Sequence, residues 1–289
     1  MRSPRHWLKK HYGEWRIHAR REELEREMSE WLGKPVTLSR FGDGGNDSIY
    51  LARSAGEKLA VVRLHNPFKK DFFRMKGLRP RKPGAGKDPM KALNREWEAY
   101  RALAESGVTP RPVWRTDDAT AVSHLPGIRM NAFLRSLPAE SWLGPVSAAF
   151  RSLARIHELK RPHHDAKAAN IIFDDSAGNA YFIDLDRLTA KNQPLAYQQT
   201  FDWLKLLGSF LQIAPRGLRD DGAFWLEALD PHVPAALREV NVAPMLADRT
   251  LRHLTRHRRV REALAPVFRG LASPNPPQKR SSEPEEGHH

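Results

Sequence analysis

Apolar positions recur along this chain first at helical spacing, then at strand spacing, then at helical spacing again. Within residues 1–34, Trp15, Ile17, Leu24, Met28, Trp31 and Leu32 predict an amphipathic helix that lies ahead of the main fold and packs on it. The tryptophans and flanking basic residues also suit a membrane surface, but Glu22, Glu23, Glu25, Glu27 and Glu30 oppose that reading because anionic lipid repels them. From Pro35 the pattern turns to short strands at Val36–Ser39, Ser48–Ala52 and Leu59–Leu64, with a glycine-rich loop from Phe41 to Asp47 and a turn at Ala55-Gly56-Glu57. A helix is expected over Pro89–Glu105, a break over Val108–Pro112 and a strand over Ala119–Ser123. Residues 140–159 return to helical spacing, with Trp142, Val146, Phe150, Leu153, Ala154 and His157 on one face. Two apolar runs, Ile171–Phe173 and Ala180–Ile183, flank the turn-forming cluster Asp174–Asn179 and predict a hairpin. Four helices are expected after it, over Phe201–Ile213, Gly222–Leu229, Ala235–Val240 and Val242–Leu264, with Asp202 capping the first. The tail from Ser273, rich in proline and alternating in charge, reads as disordered. A β-rich first part followed by a helical second part makes the chain α+β.

Just before the hairpin lies His163-His164-Asp165-Ala166-Lys167-Ala168-Ala169-Asn170, and Asp184-Leu185-Asp186 begins fourteen residues after Asn170. An aspartate able to accept a hydroxyl proton stands five positions before an asparagine able to hold a metal ion, and a second aspartate follows one short hairpin later. Phosphoryl transfer needs such a set, because the enzyme must orient a nucleophilic oxygen and neutralise triphosphate charge while doing little covalent chemistry itself. A lone His-x-Asp arises by chance, and paired histidines beside an aspartate also suit a solvated loop or an adventitious metal site. The combination of loop, hairpin and correctly spaced second aspartate is what favours chemistry.

At these residues the chain resembles the protein-kinase-like superfamily, whose catalytic loop reads H-R-D-x-x-x-x-N and whose metal-binding turn reads D-F-G. Lys167, two positions after the aspartate, is similar to the lysine of Ser/Thr protein kinases. Asp186 stands where the superfamily has glycine, and Ile183-Asp184-Leu185-Asp186-Arg187 looks more like the turn of the bacterial lipopolysaccharide core kinases, which phosphorylate Kdo or heptose. The resemblance implies a bilobal fold with a helical extension at 1–34, a small β-rich lobe at 35–123 carrying a basic insertion at 66–90, a larger helical lobe at 124–272 and a tail at 273–289.

It also implies ATP and Mg2+ as cofactors. Gly42, Gly44 and Gly45 would lie over the ATP phosphates, where a β-carbon would hinder the approach of backbone N–H groups. Adenine would lie against His124-Leu125-Pro126-Gly127, the hinge between lobes. Arg63 falls where the third strand carries a phosphate-contacting lysine; a guanidinium also binds phosphate, but it is longer and planar. Its expected ion-pair partner is Glu96, with Glu98 second. Asp165 would orient the acceptor hydroxyl and take its proton, Asn170 and Asp184 would hold Mg2+, and Lys167 would neutralise the transferring group. Asp186 either adds to the metal site or ties down the turn through Arg187, and His163 and His157 read as structural.

Composition narrows the partners. The chain has no cysteine, which excludes disulfides, thiolate metal sites and cysteine nucleophiles and is compatible with a reducing cytoplasm. No apolar run approaches the roughly 18–20 residues that cross a bilayer, so a soluble or peripheral protein is expected. A formal charge of +14 suggests anionic partners: a phosphorylated substrate, anionic lipid or nucleic acid. Between Asn66 and Arg95 ten basic residues meet only Asp71 and Asp88, which marks a surface or substrate-facing loop rather than core. A second run, from Arg249 to Arg261, meets no acid until Glu262 and is read equally well as a solvated face. No long activation segment ending in Ala-Pro-Glu is present, which points away from regulated protein kinases. The function expected is phosphorylation of a lipopolysaccharide core sugar, an anionic glycolipid, at the cytoplasmic face of the inner membrane. An atypical Ser/Thr protein kinase, a pseudokinase binding module and a choline or antibiotic phosphotransferase are the rivals.

Overall fold

The structure, a computed structural model, describes residues 11–44, 47–68, 89–185 and 193–272. Gly45, Asp186, Arg187, most of the basic insertion and the tail from Ser273 lie outside the described residues. Two compact units make up the α+β chain: one runs to Pro126 and includes Ile183–Arg187, and the other holds Gly127–Phe182 and the chain from Leu188.

The first unit is built on a five-stranded antiparallel sheet. Helix α1 (His18–Leu32) precedes β1 (Thr37–Gly44), β2 (Asp47–Ser54) and β3 (Glu57–His65), then α2 (Pro89–Leu103), β4 (Pro112–Arg115) and β5 (Ala119–Ser123) follow. The strand order is β1-β2-β3-β5-β4. Along β3 the buried positions alternate, so Ala60, Val62 and Leu64 enter a core with Ile17, Leu24 and Met28, while Val61, Arg63 and His65 point to the other face. The helical extension therefore packs on the sheet, as expected. Trp15 and Trp31, counted with its apolar face, are instead 71% and 55% exposed. Ile17 is a turn residue between a helical segment at 11–16, which holds Trp15, and α1, which holds Trp31.

Two further expectations change here. The glycine-rich segment is not wholly loop, since β1 continues through Gly44, which pairs with Asp47, after a bulge between Arg40 and Gly42. The break expected over Val108–Pro112 is present up to Arg111, but it is followed at once by an edge strand, β4, that was not expected and that opens on Pro112, where a proline needs no ladder partner for its missing N–H.

The second unit carries β6 (Ile128–Arg129), α3 (Met130–Ser136), α4 (Leu143–Glu158), β7 (Ile171–Asp174), β8 (Asn179–Phe182), α5 (Leu195–Ile213) and α6 (Gly222–Leu229). β6, β7 and β8 form a small antiparallel sheet. Gly127, at φ 98°, leads into it, and a β-carbon there would lie 2.0 Å from the Phe173 carbonyl oxygen, so only glycine fits. Aromatic side chains fill the helical core: Phe150 stacks on Trp203 at 5.6 Å and meets Phe210 edge-on at 5.7 Å.

Helix α5 begins six residues earlier than expected, at Leu195, so Asp202 is inside the helix and caps nothing. The single helix expected over Val242–Leu264 is broken into 3-10 turns at Ala243–Ala247 and Arg249–Leu251 and short helices at Arg252–Thr255 and Arg258–Ala263. Pro244 sits in the first of these turns and Asp248 caps the second through Thr250 N, so local capping interrupts a pattern that reads as continuous. Among the described residues no helix is long and apolar enough to cross a membrane.

Arg20 on α1 fastens the helix to the β4–β5 turn. Its Nε and Nη2 donate to the two Asp118 oxygens at 2.9 and 2.8 Å, and Nη1 donates to Glu23 and Glu27, both at 2.7 Å. The guanidinium holds the Asp118 carboxyl below the usual carboxylate range. A carboxyl depressed in this way contributes stability that is complete above its unfolded value of about 4 and is lost as pH falls through the folded value. Arg20→Ala is expected to lower the unfolding free energy by about 1–2 kcal/mol at neutral pH and to lessen the stability lost between about pH 5 and 3. Urea titrations over that range check both effects; an unaltered acid profile would mean that Asp118 gains nothing from Arg20.

Candidate functional site

One helix face holds the segment 163–170. Asp202, Lys205 and Ser209 stand three and then four residues apart along α5, the spacing at which helical side chains align. Asp202 is wholly buried. It accepts from His163 N at 2.6 Å, from His164 N at 2.8 Å and from the His157 ring at 3.3 Å. Because the Trp203 indole can only donate, and does so to His157 Nδ1 at 3.1 Å, the N–H of a neutral His157 ring lies on Nε2 and faces Asp202. Lys205 Nζ donates to His164 O at 3.1 Å and to Asp165 Oδ1 at 2.5 Å, and Ser209 Oγ accepts from Ala168 N at 2.9 Å. His164 lies at φ 63°, disfavoured for a residue with a β-carbon, and these contacts fix the peptide groups on both sides of it.

Asp165 is thereby held with both oxygens engaged. Lys205 occupies Oδ1, while Lys167 Nζ at 2.6 Å and Asn170 Nδ2 at 3.2 Å donate to Oδ2. Asn170 Nδ2 also donates to Asp165 O at 3.1 Å, so its amide is turned with the nitrogen toward the aspartate. Burial pushes the Asp165 carboxyl up, but hydrogen bonds from Lys167 and Lys205, together with their charges, outweigh it and bring the carboxyl down to about 2. Such a carboxylate orients a hydroxyl by accepting its hydrogen bond and retains a proton only briefly. His163 keeps a structural role: Nδ1 accepts from Asp165 N at 3.3 Å and the ring meets Phe182 edge-on at 5.1 Å.

A second cluster lies in the first unit, on the sheet face that carries Arg63. The alternation that sends Val62 into the core directs Arg63 and His65 outward, and the β2–β3 register sets Asp47 opposite His65. Arg63 Nε donates to Asp47 Oδ2 at 2.7 Å and Nη1 to Glu96 Oε2 at 2.6 Å, with Asp184 Oδ1 at 3.8 Å. Glu96 is thus the partner of Arg63, while Glu98 lies near Arg101 and Arg115. Buried Tyr100 donates to Glu96 Oε1 at 3.2 Å and accepts from Asp184 N at 3.1 Å. Burial first, and then the Glu96 charge, pushes its phenol well above the usual value, so it stays a neutral donor. Asp184 is held at φ 68°, a left-handed conformation that Asp tolerates better than most residues. Among the described residues a β-carbon on Gly42 would meet only Ile49 Cβ, at 4.0 Å.

Asp165, Lys167 and Asn170 therefore come together in one unit, and Arg63, Glu96 and Asp184 in the other. Lys205, Asp47, Tyr100 and the true role of Asp202 are absent from the sequence reading. A signal existed for two of them, because Asp202 and Lys205 sit one helical turn apart in an otherwise strongly apolar stretch. No model of a known protein family matches this chain, and no curated protein does.

Asp202→Asn would place an amide nitrogen among three donors. It is expected to cost about 3 kcal/mol of stability and to speed amide exchange at His163 and His164 relative to α6. Denaturation and exchange followed by mass spectrometry read the two effects, and native exchange rates in the variant would show that Asp202 does not hold the loop.

Proposed function

We propose that this protein is an ATP-dependent kinase with a protein-kinase-like fold, and that it phosphorylates a hydroxyl of a lipopolysaccharide core sugar at the cytoplasmic face of the inner membrane. The observation that carries the reading is Asp165: a buried carboxylate gripped by Lys167, Lys205 and Asn170, on a loop whose backbone amides are held by Asp202. Preorganised charge of this kind is what phosphoryl transfer needs, since positioning and electrostatics provide nearly all of its catalysis.

In this reading Asp165 accepts the hydrogen bond of the acceptor hydroxyl and takes its proton as that oxygen bonds to the γ-phosphorus and the bond to the bridging oxygen of ADP breaks. Lys167 follows the charge onto the transferring group, Arg63, set by Glu96, binds nucleotide phosphate, and the Gly42 and Gly44 segment of β1 offers backbone N–H groups to the phosphates. Bound Mg2+ supplies charge neutralisation of the triphosphate. Among the described residues no group of three or more His, Asp or Glu could hold a metal, but Mg2+ commonly takes one or two protein oxygens, with water and phosphate completing its shell. Donors of that kind are present in each unit taken by itself: Asp184, in the first, has a carboxylate that is 40% exposed on a backbone fixed by Tyr100, and Asn170, in the second, has an amide oxygen. Asp186 is a third candidate. The net charge of +14 supports an anionic acceptor and contact with an anionic membrane.

The direct test is mass spectrometry of core oligosaccharide from cells with and without the gene, where the loss of one phosphate is expected and identical spectra would refute the acceptor. Asp165→Asn should lower transfer about 10²- to 10⁴-fold while leaving nucleotide binding intact; near-normal turnover would remove Asp165 from its role. Asp184→Ala should abolish Mg2+-dependent ATP binding in calorimetry, with Asp186→Ala the milder change. The reverse order would make Asp186 the principal ligand.

A further inference from the structure

We propose that Lys205 is a positioning residue that decides which oxygen of Asp165 meets the acceptor hydroxyl, an inference that rests on the phosphotransfer reading above. Both oxygens carry an ammonium, and the two lysines are held very differently. Lys205 projects from the middle of a nineteen-residue helix, is 15% exposed, and divides its donors between His164 O and Asp165 Oδ1. Its stem is fixed one helical turn from Asp202, which holds the neighbouring amides. Lys167 belongs to the loop itself, is 36% exposed, and among the described residues its ammonium contacts Asp165 alone.

An incoming phosphoryl group therefore draws Lys167 away from Oδ2 far more readily than it draws Lys205 away from Oδ1. Oδ2 is the oxygen that turns to the acceptor hydroxyl and receives its proton. Lys205 remains on Oδ1 throughout, keeps the carboxylate plane from rotating and prevents Oδ1 from competing for the hydroxyl. A misplaced carboxylate plane is costly because transfer requires near-attack geometry.

The absence of cysteine from the chain allows a specific test. Lys205→Cys removes the ammonium, and alkylation with bromoethylamine restores one of nearly the same reach at that position. With Mg·ATP and rough-core lipopolysaccharide as the probe, Lys205→Cys should lose about 10²-fold in kcat with the KM for ATP within about threefold of wild type, and alkylation should recover at least about tenfold. Amide exchange at 164–168 should rise in the variant and fall again after alkylation. Unchanged kcat in the variant, or no recovery on alkylation, overturns the Lys205 assignment. A wild-type protein that releases no ADP overturns the phosphotransfer reading instead, and the Lys205 role with it. Should the cysteine variant not fold, Lys205→Arg is expected to keep at least about tenfold more kcat than Lys205→Gln, and equal values defeat the proposal.

Discussion

The buried carboxylate of Asp202 is the interaction on which the 163–170 segment of the second unit depends. A carboxylate removed from water costs several kcal/mol unless donors surround it, and here two consecutive backbone amides and a histidine ring do so. The dependence runs both ways. His163 and His164 could not leave their amides buried and unpaired, and the left-handed backbone of His164 persists because those amides have a fixed acceptor. Lys205 and Ser209, on the same helix face, extend the hold to Asp165 and Ala168. The segment 163–170 thus takes its shape from a rigid helix as well as from its own internal hydrogen bonds, Asn170 to Asp165 and Asp165 to His163.

The first unit uses the opposite arrangement, a cation surrounded by carboxylates. Arg63 joins Asp47 and Glu96 with separate nitrogens of one guanidinium, and Asp184 lies within 4 Å of it. A lysine ammonium at this position would be a point charge on a flexible stem, whereas the guanidinium fork fixes both carboxylates in one plane. Asp47 is therefore the companion that an arginine here requires, and His65 on its other oxygen completes the group. Tyr100 links Glu96 to the backbone of Asp184, so the helix α2 carboxylate and the strained aspartate are set by one hydroxyl.

Although the chain is strongly basic, the charged groups of both clusters are engaged with groups of opposite sign. Asp165 is driven to about 2 by two ammonium groups, and Arg63 is matched by acidic neighbours on strand and helix. The rest of the +14 formal charge resides elsewhere on the chain.

Local pattern determined much of this protein. The β7–β8 hairpin, β5 at Ala119–Ser123 and helix α6 at Gly222–Leu229 were legible because strand alternation, turn residues and helical spacing are encoded within a few neighbouring positions. The spacing of Asp165, Lys167 and Asn170 was legible for the same reason, and Glu96 was identifiable as the partner of Arg63 from its place on the helix after β3. The partners of these residues were not legible. Asp202 and Lys205 meet the loop from about forty residues away, Tyr100 meets Asp184 across a still longer separation, and Asp47 reaches Arg63 only through strand register. Periodicity states which face of an element is buried; it does not state which polar side chain on that face will satisfy which buried amide. That choice is made by packing, because a buried charge is tolerated only where donors from distant parts of the chain converge on it.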